Sequence, residues 1–290
     1  MVPVSLLIVL AAELLLYASL VHHFLDSSWS ASAIAAIGMV LGLRAGIIAV
    51  TWAFARAHHS PARQLSTGEL LRMFVGEYLA FLLTFVFILP FERLWMGRYR
   101  LRPCARPLVL VHGYGCSRGV WWLLRRRLEA AGHTVATVSL APPYTNLGKL
   151  VPLLDRRIEQ VRSATGAEQV VLIAHSMGGL VCRSYLARYG SEHVERLITI
   201  ASPHSGSKIA HIGIGANARE MEPGSLWLKD LASEDVPVRA ISIRTPHDNF
   251  VMPQDNQRLP GAIDVALDGI GHIAVLFSRR TTRELVAACR

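Results

Sequence analysis

The chain has 290 residues, long enough for a complete α/β core and for one or two domains. It is 52% hydrophobic and only 18% charged yet carries a formal net charge of +9, almost all of it arginine, since lysine occurs only at Lys149, Lys208 and Lys229. Such basicity suits nucleic acid or an anionic membrane surface. No nucleic-acid module is visible and the apolar excess is gathered in one region, so nucleic acid is set aside in favour of membrane lipids.

Three apolar runs precede Pro90. Val2 to Val21 is broken only by Glu13, Ala31 to Ala55 carries Arg44 near its middle, and Met73 to Pro90 contains Glu77 followed by "YLAFLLTFVFIL". A bilayer is spanned by about 20 helical residues. Residues 1–90 are therefore expected to form two or three transmembrane helices of a multi-pass anchor in the cell membrane. A cleaved signal peptide is not expected, because "MVPVS" lacks a basic start and two further apolar runs follow. Ionisable groups at mid-membrane are costly unless paired, so Arg44 is expected to pair with Glu13, Glu77 or both and to fasten the helices together.

Residues 91–106 read as a basic juxtamembrane linker. The 22–30 loop has no Lys or Arg, whereas Arg56, Arg63 and Arg72 follow the second run and Arg93, Arg98, Arg100, Arg102 and Arg106 follow the third. Three true spans would put the two basic clusters on opposite sides, against the positive-inside bias. A re-entrant or interfacial third run would leave both in the cytoplasm, and the following domain is expected there.

From residue 107 to 290 short β-branched runs alternate with amphipathic segments. Strands are predicted at 108–113, 134–140, 169–176, 194–202, 238–245 and 262–267, and helices at 119–131, 147–164, 177–189 and 273–289. This pattern predicts an α/β domain with a mostly parallel sheet covered by helices on both faces, whose chemistry sits at the carboxyl ends of the strands. The less regular segment 207–236 is placed to fold over that edge. The four cysteines, Cys104, Cys116, Cys182 and Cys289, have no C-x-x-C spacing. That argues against a zinc site and leaves four free thiols, a Cys104–Cys116 bridge requiring an oxidising compartment.

"VVLIAHSMGGL" (170–180) is a strand running into a turn with Ser176 at its apex. A nucleophile elbow of the G-x-S-x-G kind needs small residues two positions away on either side, because strand and helix crowd the serine. Gly178 meets that need, and Ala174 adds only a methyl. Serine needs a base, and the base an orienting acid, here expected in the chain order serine, acid, histidine. Among His193, His204, His211, His247 and His272, only His272 in "DGIGHIAV" lies late enough. Asp248 in "TPHDNFV" follows a strand end and is the expected acid; Asp264 and Asp268 are alternatives that lie close to His272, and Asp235 belongs to the irregular segment. The backbone N–H groups of Met177 and Tyr114 are the expected oxyanion donors, each such donor supplying about 3 kcal/mol. His112 reads as a structural hydrogen-bonding residue, and Cys116 as a small apolar filler.

In this order "LVHGYG", "AHSMGG", "SPHSGS", "PHDNFV" and "GIGH" resemble the bacterial lipase/esterase branch of the α/β-hydrolase superfamily, and A-x-S-x-G is similar to the elbow of the small Bacillus-type lipases. The resemblance covers about residues 107 to 290. It implies an α/β-hydrolase fold and carboxylic-ester hydrolysis through an acyl-enzyme, with no cofactor and no metal. It also implies that Pro203-His204-Ser205-Gly206 borders the site; Gly113, His175 and His204 are the expected substrate-binding residues. The membrane segment departs from those soluble lipases. The expectation is a membrane-anchored serine esterase or lipase acting on an ester or lipid. The alternatives are a deacylase of lipid-linked or protein-linked acyl groups with the same triad, and a non-catalytic membrane scaffold.

Overall fold

The computed structural model of the protein describes residues 2–97 and 100–289, so Arg98 of the basic linker lies outside the described residues. The chain opens with α1 (Val2–Phe24), α2 (Trp29–Ala57) and α3 (Thr67–Leu82), which runs on through a π turn, Leu83–Ile88. By length and composition, Val2–Phe24, Trp29–Ala57 and Thr67–Ile88 are each apolar enough to cross a membrane. The helix starts are written locally. Ser28 accepts the Ala31 N–H at the head of α2, and Ser66 and Glu69 form a capping box at the head of α3.

Helices α1 and α2 pack on one another, with Arg44 and Glu13 joined at 2.6 Å. Of the partners expected for Arg44, Glu13 is the one found; the Glu77 carboxylate accepts the backbone N–H groups of Ile273 and Ala274 instead. Helix α3 lies along the rest of the molecule. Ala80 and Phe81 pack with Ile273, and Leu89, just past the π turn, enters the same core layer as Trp121. A short α4 (Glu92–Met96) follows, and Glu92 receives hydrogen bonds from Ser117 and Arg118.

Six strands build one sheet: β1 (Leu108–Val111), β2 (Val135–Val138), β3 (Val170–His175), β4 (Val194–Ile200), β5 (Arg239–Arg244) and β6 (Ile263–Ala266). Their order is β2-β1-β3-β4-β5-β6 and every neighbouring pair is parallel. Successive side chains alternate faces. Val109, Val111, Leu172 and Ala174 enter the layer that holds α6 (Leu147–Thr165) and α7 (Met177–Tyr189), whereas Leu108, Leu110, Val171 and Ile173 enter the opposite layer. That second layer contains α5 (Trp122–Ala130), entered through a 3-10 turn at Arg118–Trp121, and α10 (Arg279–Ala288). Residues such as Leu154, Ile158, Leu124 and Leu285 are fully buried. Each contributes about 2 kcal/mol on leaving water, which fixes the sheet between two helical layers.

The helix expected over 273–289 is shorter. Ala274–Phe277 forms a 3-10 turn, Ser278 caps the next N–H groups by accepting from Arg280, and α10 begins only at Arg279. The segment 207–236 holds a 3-10 turn at Lys208–Ile212, then α8 (Ala216–Glu220) and α9 (Leu226–Ala232). All four cysteines are free thiols, and Cys116, Cys182 and Cys289 are buried.

Candidate active site

Strand β3 ends at His175 and α7 begins at Met177, leaving Ser176 between them at φ 54° and ψ −130°. A non-glycine residue held at positive φ costs on the order of 1–3 kcal/mol and persists only where its surroundings fix it. Here the Ser176 N–H donates to Ile200 O at 2.9 Å, and Ser176 O accepts from Gly179 N–H at 3.0 Å. Packing explains the small residues. A Cβ on Gly178 would collide with the carbonyl oxygens of Val111 and His112, and one on Gly113 would sit 2.8 Å from Ser176 Cβ. Ala174, by contrast, is fully buried in the α6–α7 layer, where a methyl is accommodated. Gly113 thus borders Ser176 directly, its built Cβ lying 3.3 Å from Oγ.

Asp248 follows β5 and is fully buried. Its Oδ1 accepts the N–H groups of Phe250 and Val251 at 2.7 and 2.8 Å; Oδ2 accepts the Thr245 hydroxyl at 2.5 Å and His272 Nδ1–H at 2.9 Å. Four donors on one carboxyl group hold it in one orientation. The bond from Nδ1 assigns the imidazole tautomer and leaves Nε2 as the free acceptor. Burial pulls the His272 pKa down, but the Asp248 carboxylate, through charge and hydrogen bond, and the more distant Glu77 leave it raised above 6.5. His175 ties this pair to the elbow: its Nε2 donates to His272 O at 3.0 Å, and the two rings lie 4.7 Å apart. Among the described residues, Ser176 Oγ and His272 Nε2 have no hydrogen-bond partner, so both atoms are uncommitted.

On the other side of the serine, His112 Nδ1–H donates to Gly113 O at 2.9 Å and Nε2 accepts the Leu140 N–H at 2.9 Å. Burial lowers its pKa to about 4, so it is a neutral brace for the loop. The Tyr114 hydroxyl donates to Ile214 O at 2.7 Å and accepts Ile214 N–H at 2.8 Å, pinning the loop after β1 to the segment 207–236. Among the described residues the backbone N–H groups of Tyr114 and Met177 have no protein acceptor. His175 and His204 are both buried. Burial, with the charge of His272 adding to it, holds the His175 pKa well below its ordinary value. His204 Nε2 lies 3.0 Å from Thr199 Oγ1, and burial, helped by the Arg183 charge, lowers its pKa to about 3. The His175 ring packs against His272, whereas the His204 ring faces Thr199. Cys116 is equally enclosed, and burial lifts its thiol to about 12.

Several residues at this edge escaped the sequence reading. Asn249 Oδ1 accepts the His272 N–H at 3.2 Å, and Asn249 Nδ2 donates to Thr51 Oγ1 of α2 at 2.9 Å. Gln254 donates to Asp248 O and accepts the Ser60 N–H, each bond 2.8–2.9 Å long. A cavity of about 450 Å³ lies between the first turns of α1, residues 90–94 and the loops after β1 and β2; His112, Cys116 and Leu140 line it, and Ser176 does not. Among the described residues no cluster of three or more His, Cys, Asp or Glu is arranged to hold a metal.

Comparison with known proteins agrees with this architecture. The family described as alpha/beta hydrolase fold matches residues 106–217. A triacylglycerol lipase of Pseudarthrobacter phenanthrenivorans is 34% identical over 112 residues, 36% of this chain and 35% of that protein. Methylesterase 7 of Arabidopsis thaliana is 37% identical over 82 residues, 26% of this chain and 32% of that protein. The chain thus spans about a third of the length of these curated relatives. The crystal structure of the Bacillus licheniformis lipase BlEst2 in its mature form superposes with a TM-score of 0.59 at 18% identity, covering 67% of this chain and 96% of that one. The sheet order, its parallel pairing and these matches identify the α/β-hydrolase fold, preceded by three long apolar helices.

Proposed function

We propose that this α/β-hydrolase fold, whose distant relatives are lipases and esterases, works as a membrane-anchored serine carboxylic-ester hydrolase. The observation that carries the reading is the Asp248–His272 pair at 2.9 Å, tied through His175 to a serine at positive φ between strand and helix. Ser176 Oγ attacks the ester carbonyl while His272 Nε2 takes its proton. The backbone N–H groups of Tyr114 and Met177 hold the resulting oxyanion, and Asp248 holds the imidazolium. Collapse of the tetrahedral species breaks the ester C–O bond, and His272 returns the proton to the leaving alcohol. Water, deprotonated by the same Nε2, then cleaves the acyl-Ser176 ester to give the carboxylic acid and regenerate the serine. Gly113 leaves room for the substrate beside Oγ, while His175 and His204 shape the floor beneath it.

The substrate class follows from position. Helices α2 and α3 reach the loops after β5 and β6 at the carboxyl edge of the sheet, and residues 89–92 reach the loop after β1. An acylated amphiphile dissolved in the bilayer would meet the serine at that edge. The same contacts bear on topology. The loop 58–66 before α3 touches residues 247, 254, 255 and 268, and Leu89 and Glu92, just past the π turn that ends the third helix, touch Gly119 and Ser117, so the chain meets the catalytic domain on both sides of α3. The reading that follows has residues 1–90 as the anchor and 107–290 as the catalytic domain. Helices α1 and α2 cross the cell membrane, α3 lies at the interface, and both arginine clusters and the catalytic domain share the cytoplasmic side.

A fluorophosphonate probe tests the reading. The detergent-solubilised chain should be labelled, and Ser176→Ala should not. A folded wild type that resists the probe and turns over no ester of any chain length would leave only the scaffold alternative. Ester-chain-length profiling separates the enzymatic alternative, since a deacylase of acylated protein or glycolipid would spare short p-nitrophenyl esters.

A further inference from the structure

We propose that the apolar segment is a working part of the catalytic site, with Glu77 of α3 and Thr51 of α2 acting as positioning residues for His272. The inference rests on the serine-hydrolase reading above. Glu77 is fully buried, and an anchoring helix has no need of a carboxylate at that place. The carboxylate is satisfied by the backbone beside the base: Oε1 and Oε2 accept the Ile273 N–H at 3.0 and 3.1 Å, and Oε2 accepts the Ala274 N–H at 2.8 Å. Gly271 lies against the same group, since a Cβ there would fall 2.5 Å from Oε2. The preceding N–H, that of His272 itself, goes to Asn249 Oδ1, whose amide is oriented by Thr51 Oγ1. Thr51 in turn donates to Ile48 O at 2.8 Å, which fixes its lone pairs toward Asn249. Three consecutive backbone N–H groups, those of His272, Ile273 and Ala274, are therefore held by groups that α2 and α3 supply or brace.

The acid is held from the same quarter. Ser60, in the loop joining α2 to α3, gives its N–H to Gln254 Oε1, and Gln254 Nε2 donates to Asp248 O. Ser60 Oγ accepts the Asp255 N–H at 2.9 Å. Base and acid thus arrive on separate loops, 24 residues apart, and the apolar segment is what both loops touch. Proton transfer from Ser176 needs Nε2 at a fixed distance, and a displacement of about 1 Å costs on the order of a hundredfold in rate. Losing the Glu77 contacts frees the loop that carries His272 without touching the substrate, so the loss falls on kcat.

The test uses the full-length chain in detergent and a p-nitrophenyl ester, with kcat, KM and the thermal midpoint measured for each variant. Glu77→Leu should lower kcat about a hundredfold with KM near wild type, and Glu77→Gln, which keeps an acceptor oxygen for the same N–H groups, should recover most of it. Thr51→Val, close to isosteric, should lower kcat several-fold while the thermal midpoint stays near wild type, and it keeps the proposal exposed if Glu77→Leu does not fold. A folded Glu77→Leu or Thr51→Val with wild-type kcat overturns the inference, as does a loss confined to KM. The outcomes separate cleanly from failure of the parent reading: a wild type inert to ester and fluorophosphonate sinks that reading, whereas equal labelling of wild type and Glu77→Leu sinks only the positioning role.

Discussion

Two carboxylates sit inside the apolar runs Val2 to Val21 and Met73 to Pro90, and they have opposite destinations. Glu13 on α1 meets Arg44 on α2, at 2.6 Å, in two helices that also carry exposed apolar side chains such as Leu15 and Ile34. Glu77 on α3 turns inward and accepts the backbone N–H groups beside His272. The same residue type, in helices of similar composition, serves helix-to-helix fastening in one place and helix-to-site coupling in the other. The difference lies in the partner. An ion pair satisfies a charge within the anchor, whereas two backbone donors of a loop satisfy it only if anchor and loop stay in register. Helix α1 and the part of α2 around Arg44 are thus expected to tolerate changes that leave insertion intact, whereas Glu77 on α3, like Thr51 further along α2, is expected to transmit its changes to the chemistry.

The largest effects define what full loss of chemistry means for either helix. Ser176→Ala should lower kcat by about a millionfold, the level set by groups acting as one unit, and should abolish fluorophosphonate labelling. Asp248→Asn, which presents Oδ1 and an amide where His272 needs an acceptor, should cost about ten-thousandfold by favouring the wrong tautomer. Both variants should insert in membranes like wild type, because neither residue touches α1. Next comes the proposed hundredfold loss in Glu77→Leu, which places α3 on the chemical side of the comparison.

Arg44→Glu breaks the comparison from the other end. It sets two carboxylates face to face between α1 and α2 and should destabilise that packing by on the order of 3 kcal/mol. Membrane-fraction yield and detergent-resistant assembly should fall, and the doubly swapped Glu13→Arg, Arg44→Glu chain should restore both. The fraction that does insert should keep kcat within about threefold of wild type, as expected for a site with which this pair shares no partner. Lost turnover in a normally inserted variant would show that the Glu13–Arg44 pair also reports to the site.

The reach of the sequence differs between these two regions for a physical reason. All six strands lie inside their predicted spans, because β-branched runs bounded by turn residues mark a strand locally, whether it is covered on both faces like β1 and β3 or exposed at the sheet edge like β6. Ser176, Asp248 and His272 stand out as candidates because they follow β3, β5 and β6 in the chain order expected for such a site, and the small residues at 174 and 178 record the crowding around the elbow. Nothing local marks Glu77 as a partner of Ile273, 196 residues away. An acidic residue in an apolar run calls for a partner, and Arg44 was the only cation nearby in sequence among the three runs. The helix expected from residue 273 shows the same limit. Its apolar residues fit a helical period, but Ser278 caps α10 and leaves 274–277 as a separate turn beneath α3.

A smaller effect concerns pH. His272 must be neutral to accept the Ser176 proton, and its pKa is raised above 6.5 because Asp248 outweighs the lowering by burial. The groups facing it are Asp248, Glu77 of α3 and His175, the last kept uncharged by burial. With decreasing pH, kcat/KM should therefore fall through an apparent pKa above the ordinary imidazole value. An acid limb centred below 6.5 would mean that the Asp248–His272 pair is not formed in the working enzyme. Arg44→Gln should leave the limb where it is, since Arg44 belongs to the pair on the anchor side.

The smallest predicted effect lies on the side of the serine away from Glu77. Tyr114→Phe removes the hydroxyl that both donates to Ile214 O and accepts from Ile214 N–H. Each bond contributes about 1 kcal/mol, so the segment 207–236 should open more often while the backbone N–H of Tyr114 stays in place. Limited proteolysis near Ile212 and Ile214, both exposed, should quicken several-fold. The change in kcat should stay within about threefold, because a peripheral hydrogen bond is lost and the oxyanion donor is kept. If kcat instead fell as far as in Glu77→Leu, the loop after β1 would depend on its outer brace as strongly as His272 depends on α3. The site would then be held equally from both sides, and the anchor would lose its special place.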